Sequence, residues 1–129
     1  MQQSGPGLLL FDRDGWVPAF SHIEKGADWM ESIDVLDGEY EGAFTLDGFV
    51  VDMAGVREGP VSLRVTGERD DIGLRELLLR GQMRMGFTSD VDDPVSVANE
   101  LMREQWERLL PGRPKWLHRR LHGDHPPQV

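Results

Sequence analysis

The alternation of hydrophobic and polar residues predicts strands in the first half of the chain. The apolar run from Leu8 to Phe11 predicts a first strand, which ends at the turn sequence Asp12–Gly15. Ser21 and Glu24 then have the spacing of a capping box, which predicts the start of a helix. The apolar face expected for this helix comprises Ile23, Ala27, Met30 and Ile33.

The segment from residue 39 to 54 predicts a β-hairpin, because Asp47-Gly48 is the pair that a two-residue type I′ turn requires. With Leu46 opposite Phe49, alternate side chains turn to opposite faces of the sheet. The face expected to be buried comprises Tyr40, Gly42, Phe44, Leu46, Phe49, Val51 and Met53. The face expected to be open and acidic comprises Glu39, Glu41, Thr45 and Asp52. A further strand is predicted where Val61, Leu63 and Val65 alternate with polar residues.

Helical periodicity returns at Asp70, where Asp70 or Asp71 is the expected cap. Leu74, Leu77, Leu78 and Met85 fit one helical face, while Gly73, Gly81 and Gly86 predict a short or broken helix. Asp93-Pro94 predicts the start of the last long helix. Its expected buried stripe comprises Val97 or Ala98, Leu101, Met102, Trp106 and Leu109. A final basic helix is predicted over residues 114–122.

This order of elements predicts a single α+β domain, with a mainly antiparallel sheet of about four strands and helices packed on one face. We expect residues 1–7 to form a flexible leader, residues 8–123 the domain and residues 124–129 a flexible tail. No membrane association is expected, since no stretch approaches the roughly 20 apolar residues of a membrane span. The absence of cysteine excludes disulfides and thiol chemistry and is consistent with the cytoplasmic location that we expect.

Charge is distributed unevenly along the chain. The net charge is −9, and the first 58 residues contain twelve acidic residues but only three basic ones. The last 28 residues have the opposite sign, with six basic and three acidic residues. Such an asymmetry favours charge-steered association with a protein partner. Nucleic acid is not an expected partner, because the acidic rest of the chain would repel it. The basic last 28 residues either pack on the protein's own acidic sheet or bind a partner.

Sequence motifs for catalysis are absent from the chain. There is no glycine-rich phosphate loop, no nucleophile elbow and no HExxH motif, so we predict no catalytic residue, no cofactor and no metal. Asp12 with Asp14 suits a polar turn, and the acidic run at residues 90–93 suits a helix cap. His118 and His122 have the spacing of two metal ligands on a helix, but a third ligand is missing, so metal binding by them stays open.

A resemblance covers about a quarter of the chain, from Phe20 to Val51. It is carried by Ile33-Asp34-Val35, by the segment Asp37–Glu41 and by Asp47-Gly48. This stretch resembles small acidic proteins of actinobacterial type, which are mostly uncharacterised and some of which are immunity partners of bacterial toxins. The resemblance implies a non-enzymatic acidic inhibitor, and it assigns no role to any individual residue.

The leading hypothesis is therefore an immunity or antitoxin-type inhibitor that covers a basic site on a toxin or enzyme. The carboxylates predicted to steer the partner are Asp34, Asp37, Glu39, Glu41 and Asp52, and the predicted apolar anchor is Trp29 or Tyr40. The same carboxylates also suit an ordinary solvated face. An alternative function is small-ligand binding in a pocket between sheet and helices, lined by Tyr40, Phe44 and Met53. The oligomeric state stays open, because an edge strand can pair with a second copy or with another chain.

Overall fold

A computed structural model describes residues 6–108 of the chain, with side chains described for residues 6–105. The strands are β1 Leu8–Asp12, β2 Ala19–Phe20, β3 Tyr40–Thr45, β4 Phe49–Gly55 and β5 Val61–Arg69. The helices are α1 Ile23–Trp29, α2 Ser32–Leu36, α3 Asp71–Met85 and α4 Pro94–Arg108. The basic helix predicted over residues 114–122, the predicted tail and most of the predicted leader lie outside the described residues.

The strands form one antiparallel sheet in the order β2-β1-β3-β4-β5. This arrangement confirms the predicted α+β domain. The sheet has five strands, close to the expected four, because Ala19 and Phe20 add a short strand beside Leu8 and Leu9. β1 lies inside the sheet, and the side chains from Leu8 to Phe11 are all buried.

The helices are divided between the two faces of the sheet, whereas the sequence predicted them on one. Since consecutive residues of a strand point to opposite faces, the continuous apolar run in β1 requires cover on both sides. On the α3/α4 face, the buried core comprises Leu9, Phe11, Val17, Ala19, Phe44, Leu74, Leu78, Phe87, Val91, Val97, Ala98, Leu101 and Met102. On the α1/α2 face, it comprises Leu8, Leu10, Phe20, Ile23, Met30, Ala43, Val51 and Val61.

The β3–β4 hairpin forms where it was predicted, but the predicted turn type and register are wrong. A type I′ turn needs a positive φ at both central residues, and among the described non-glycine residues only Glu58 has one. The Gly48 N–H donates to the Thr45 carbonyl at 3.1 Å, and Phe44 pairs with Val50. The connection is thus a three-residue loop in which Gly48 alone is left-handed, at φ 91°. The resulting one-residue shift places Val51 on the face opposite Phe44.

The predicted first helix is divided into α1 and α2 by the extended residues Met30 and Glu31. The predicted capping box is wrong, because His22 is the N-cap of α1 and no side chain caps this helix. After the break, the buried Ser32 donates its hydroxyl to the Gly59 carbonyl at 2.8 Å and accepts the Val56 N–H at 3.2 Å. These bonds attach α2 to the β4–β5 turn.

The two long helices follow their predicted caps. The Asp70 side chain accepts the Gly73 N–H at 2.9 Å and starts α3. This helix continues unbroken through its glycines, which corrects the prediction of a short or broken element. Gly81 is needed for packing, since a Cβ there would lie 2.4 Å from the Val17 side chain. α4 begins at Pro94 as predicted, and its expected stripe is confirmed within the described side chains by the burial of Val97, Ala98, Leu101 and Met102.

Candidate functional site

An uninterrupted acidic segment surrounds α2. Between Lys25 and Arg57 the sequence contains eight acidic residues and no lysine or arginine. Glu31 precedes α2 and Asp37 follows it, so carboxylates lie at both ends of this short helix. Within the part of the chain that the structure describes, Glu31, Asp34, Asp37 and Glu39 form no ion pair. Their negative charge is therefore not neutralised by a neighbouring described side chain.

α2 also exposes two large apolar side chains among these carboxylates. Ile33 is 61% exposed and Leu36 is 57% exposed. Residues three apart on a helix lie on the same side, so these two side chains form one apolar strip. We call Glu31, Ile33, Asp34, Leu36, Asp37 and Glu39 together the α2 surface. An apolar centre with a charged rim is the usual arrangement of a protein-binding surface.

The pKa of Tyr40 reflects the negative charges next to the α2 surface. This half-buried side chain packs against the core of the α1/α2 face. Burial, followed by the negative charges of Asp34, Asp12, Glu31 and Glu39, raises the pKa of Tyr40 to about 12. Four separate carboxylates thus act on one phenol, which indicates a concentrated negative potential at this end of the sheet.

Trp29 lies at the end of α1 and is half-buried. Its ring packs against Phe20 with 5.6 Å between ring centroids. It also packs at the margin of the core of the α1/α2 face. The structure therefore gives Trp29 a packing role, and the exposed apolar side chains nearest to it in sequence are Ile33 and Leu36.

Glu41 and Asp52 lie away from the other predicted partner-binding residues. β3 contains a β-bulge, because Phe11 pairs with Gly42 whereas Asp12 pairs with Tyr40, which leaves Glu41 without a partner in β1. A bulge redirects the strand's side chains. Glu41 accepts a hydrogen bond of 2.6 Å from Arg80 on α3.

Asp52 is paired as well, with Arg64 on β5. The structure thus separates the predicted residues into two groups. Trp29, Asp34, Asp37, Glu39 and Tyr40 lie around α2, whereas Glu41 and Asp52 lie towards α3.

An open groove of about 640 Å³ lies between the β3–β4 hairpin and α3. Phe44 and Met53, two of the three residues predicted to line a ligand pocket, line this groove, while Tyr40 does not. Four carboxylates also line it, belonging to Glu41, Asp52, Asp70 and Glu76. Glu41 and Asp52 are ion-paired, and Asp70 caps α3. The groove is therefore mainly an apolar cleft with a charged margin.

Candidate metal ligands have ordinary structural roles where the structure describes them. No group of three or more His, Asp or Glu residues suited to a metal ion occurs among the described residues. The Asp12 carboxylate accepts the N–H groups of Asp14 and Trp16, both at 2.9 Å, and thereby closes the turn after β1. His118 and His122 lie outside the described residues. None of the described helices is long and apolar enough to cross a membrane.

The exposed apolar pair on α2 does not follow from the sequence pattern. That pattern places Ile33 on the buried stripe of one continuous helix and gives Leu36 no role, whereas the structure exposes both. The available signal was the long interval without basic residues, which already marked this segment as unusual.

Comparisons with protein-family models, with curated proteins and with solved structures found no significant match to this chain.

Proposed function

We propose that this protein is a non-enzymatic binding domain whose α2 surface covers a basic site on a partner protein, in the manner of an immunity or antitoxin-type inhibitor. The observation that carries the proposal is the exposed pair Ile33 and Leu36 among carboxylates that have no ion-pair partner in the described part of the chain. The partner expected for such a surface has an arginine- or lysine-rich rim around a small apolar depression.

The two parts of the α2 surface contribute differently to binding. Full burial of an isoleucine or leucine side chain contributes about 1.5–3 kcal/mol, so Ile33 and Leu36 supply part of the affinity. The carboxylates mainly accelerate encounter with a basic partner, and this effect is reduced by salt. We therefore expect the apolar pair to determine the dissociation rate and the carboxylates to determine the association rate.

The test begins with capture of the partner by the tagged full-length protein from lysate of its native cells, followed by binding kinetics with the purified partner. Ile33→Ser/Leu36→Ser is expected to accelerate dissociation at least tenfold. The matched control is Ile72→Ser/Met83→Ser, which changes two exposed apolar residues of α3. If the α2 double variant bound as tightly as the control, the α2 surface would not be the binding site.

The electrostatic part is tested by a second pair of variants. Asp37→Lys and Asp47→Lys change the net charge equally, and both residues are exposed. We expect Asp37→Lys to slow association several-fold more than Asp47→Lys and to reduce the salt dependence of the association rate. Equal effects of the two variants would mean that net charge alone steers the partner, and would remove the assignment of Asp37.

A second candidate function is the binding of a small, largely apolar ligand in the groove beside α3. It is favoured by the volume of the groove and by its apolar lining from Phe44, Val50 and Leu77. A ligand that binds the folded state raises the melting temperature with the logarithm of its concentration. Leu77→Trp would occupy the groove and abolish that shift, whereas Leu79→Trp, on the exposed side of α3, would preserve it. A shift that survived Leu77→Trp would place the ligand elsewhere.

A further inference from the structure

The sequence that follows α4 is opposite in charge to the α2 surface. No acidic residue occurs between Glu107 and Asp124, whereas no lysine or arginine occurs between Lys25 and Arg57. We call residues 113–122 the basic segment. Its cations and large apolar residues are Arg113, Lys115, Arg119, Arg120, Trp116, Leu117 and Leu121. The two stretches match in both respects, because the α2 surface combines four carboxylates with two exposed apolar side chains.

We propose that the basic segment of this chain folds back over its own α2 surface and must be displaced before a partner binds there. The proposal rests on the proposed function of the α2 surface and gives that surface an internal occupant. A basic partner and the basic segment compete for the same carboxylates and the same two apolar side chains. The segment therefore lowers the apparent affinity for the partner by the fraction of molecules in which it covers the surface.

The carboxylates of the α2 surface are available for this contact, whereas those of the groove beside α3 are not. In the groove, Glu41 is paired with Arg80, Asp52 is paired with Arg64, and Asp70 caps α3. The four carboxylates of the α2 surface form no ion pair within the described part of the chain. A cationic segment therefore gains more from the α2 surface than from the groove.

α4 is attached to the sheet edge from which the chain passes to the α1/α2 face. Near the end of α4, Gln105 donates to the Ala19 carbonyl at 3.0 Å and accepts the Ala19 N–H at 2.9 Å. Ala19 belongs to the edge strand β2, and the chain continues from β2 into α1 on the other face. At the end of α1, Trp29 packs against Phe20 of the same strand. The basic segment thus follows a helix that is anchored beside α1.

The length of chain beyond α4 is sufficient for the contact. Arg119 is the eleventh residue after Arg108, where α4 ends, so an extended chain between them spans roughly 36 Å. A domain of about 100 residues has a radius of gyration of about 13 Å, so the α2 surface lies within that span. A short tether also gives an effective concentration on the order of millimolar, so a contact that is weak between separate molecules suffices.

Paramagnetic broadening of amide signals in the full-length protein tests the contact. Because the chain contains no cysteine, His118→Cys provides a single position for a nitroxide label in the basic segment. The label is expected to broaden the amide signals of α2 several-fold more than those of α3. The effect should disappear at about 1 M salt, where the Debye length is only about 3 Å. The same label at Val95→Cys, an exposed position of α4, is the control. Equal broadening of α2 and α3 by the label at position 118 would overturn the proposal.

A mixed sample distinguishes a contact within one chain from a contact between two chains. The labelled His118→Cys protein is prepared without isotope enrichment and is mixed with enriched protein that has no label. Only a contact between different molecules broadens the observed signals in this mixture. We expect the α2 signals to stay sharp, and broadened α2 signals would overturn the folding back of the segment within one chain.

Binding kinetics with the purified partner test the competition. Arg119→Glu/Arg120→Glu is expected to accelerate association at least threefold, because it releases the α2 surface. The matched control is Arg84→Glu/Arg103→Glu, which changes the net charge equally at exposed positions of α3 and α4. Equal acceleration by the two double variants would mean that net charge alone acts on the rate, and would overturn the competition.

The two proposals fail separately. Broadening of α2 by the label, together with unchanged partner binding by Ile33→Ser/Leu36→Ser, would remove the proposed function and leave only the contact of the basic segment. Sharp α2 signals, together with faster partner dissociation from that variant, would remove the contact and leave the proposed function.

Discussion

The two faces of the sheet are built in different ways. On the α3/α4 face, two helices of 15 residues pack on the sheet, and both begin with an aspartate whose side chain accepts a backbone N–H. On the α1/α2 face, the helices have seven and five residues, and neither has a side-chain cap. The α3/α4 face also contains ion pairs, such as Arg75 with Asp92, whereas the carboxylates around α2 have none among the described residues.

Under the proposed function, this difference separates stability from recognition. Isolated helices shorter than about 12 residues are marginal in water, so α1 and α2 persist because the sheet supports them. Their small size leaves apolar and charged groups at the surface, where a partner can reach them. The α3/α4 face supplies the larger buried core, while α3 also exposes Ile72 and Met83 at its outer side.

Leu78→Ala is expected to lower the free energy of unfolding by about 2–5 kcal/mol, because it leaves a cavity in the core of the α3/α4 face. Urea denaturation measures this loss. Leu79→Ala, at the next and exposed position of α3, is the control and should cost less than about 1 kcal/mol. Similar losses from the two variants would contradict the packing of α3 on the sheet.

Glu100→Gln is expected to cost about 1–2 kcal/mol at neutral pH, because hydrogen bonds to a charged acceptor are lost. The Glu100 carboxylate accepts from the N–H groups of Thr88 and Ser89 and from the Ser89 hydroxyl, the last at 2.6 Å. Burial alone would raise the pKa of Glu100, but the hydrogen bonds from Ser89 and Thr88 outweigh it and lower the pKa.

A lowered pKa in the folded state means that this stabilisation is present above the unfolded-state pKa of Glu100. It is lost as the pH falls through the folded-state pKa. The difference in unfolding free energy between the wild type and Glu100→Gln should therefore shrink in acid, as measured by urea denaturation over a pH series. Glu104→Gln, in the same helix, is the comparison variant, and an equal loss there would contradict the specific role of Glu100.

Tyr40 offers a spectroscopic measurement of the potential near α2, since it is the only tyrosine in the chain. Absorbance of the phenolate should titrate with a midpoint of about 12, and Asp34→Asn should lower that midpoint. Asp47→Asn is the control and should leave it unchanged. Because the folded-state pKa is raised, the stability linked to Tyr40 is complete below pH 10.0 and declines as the pH rises towards about 12. A midpoint insensitive to Asp34→Asn would contradict the concentrated negative potential.

Ile33→Ser is expected to have the smallest effect on stability, within about 0.5 kcal/mol, because the side chain is exposed. Thermal and urea unfolding would measure it beside Leu78→Ala. A loss as large as that of Leu78→Ala would show that Ile33 belongs to the core, and the distinction between the two faces would not hold.

Local sequence signals predicted most elements of the fold but not the details that arrange the surfaces. Asp47-Gly48 marks a turn in either of two hairpin geometries, and the choice between them shifts the register by one residue. The division of the first helix depends on hydrogen bonds from Ser32 to Gly59 and Val56, which are 27 and 24 residues away. No local pattern contains that information.

The negative charge of the α2 surface could be predicted from the sequence, but its exposed apolar pair could not. Asp34, Asp37 and Glu39 come from one interval of the sequence without lysine or arginine, and the structure keeps them together around α2. The β-bulge at Glu41 separated that residue from them, and bulges have no reliable sequence signature here. The exposure of Ile33 and Leu36 follows from the break before α2, so it could not be recognised while one continuous helix was assumed.

The attachment of Ser32 to the β4–β5 turn has a consequence for the exchange of amide hydrogens. The five residues of α2 are held to the sheet at the point where Ser32 bonds to Gly59 and Val56. Opening of that turn would release α2 while the α3/α4 face stayed folded, so amides of α2 and of the turn should exchange with deuterium together and earlier than those of α3. A partner bound to the exposed side of α2 would then protect the β4–β5 turn from exchange without contacting it.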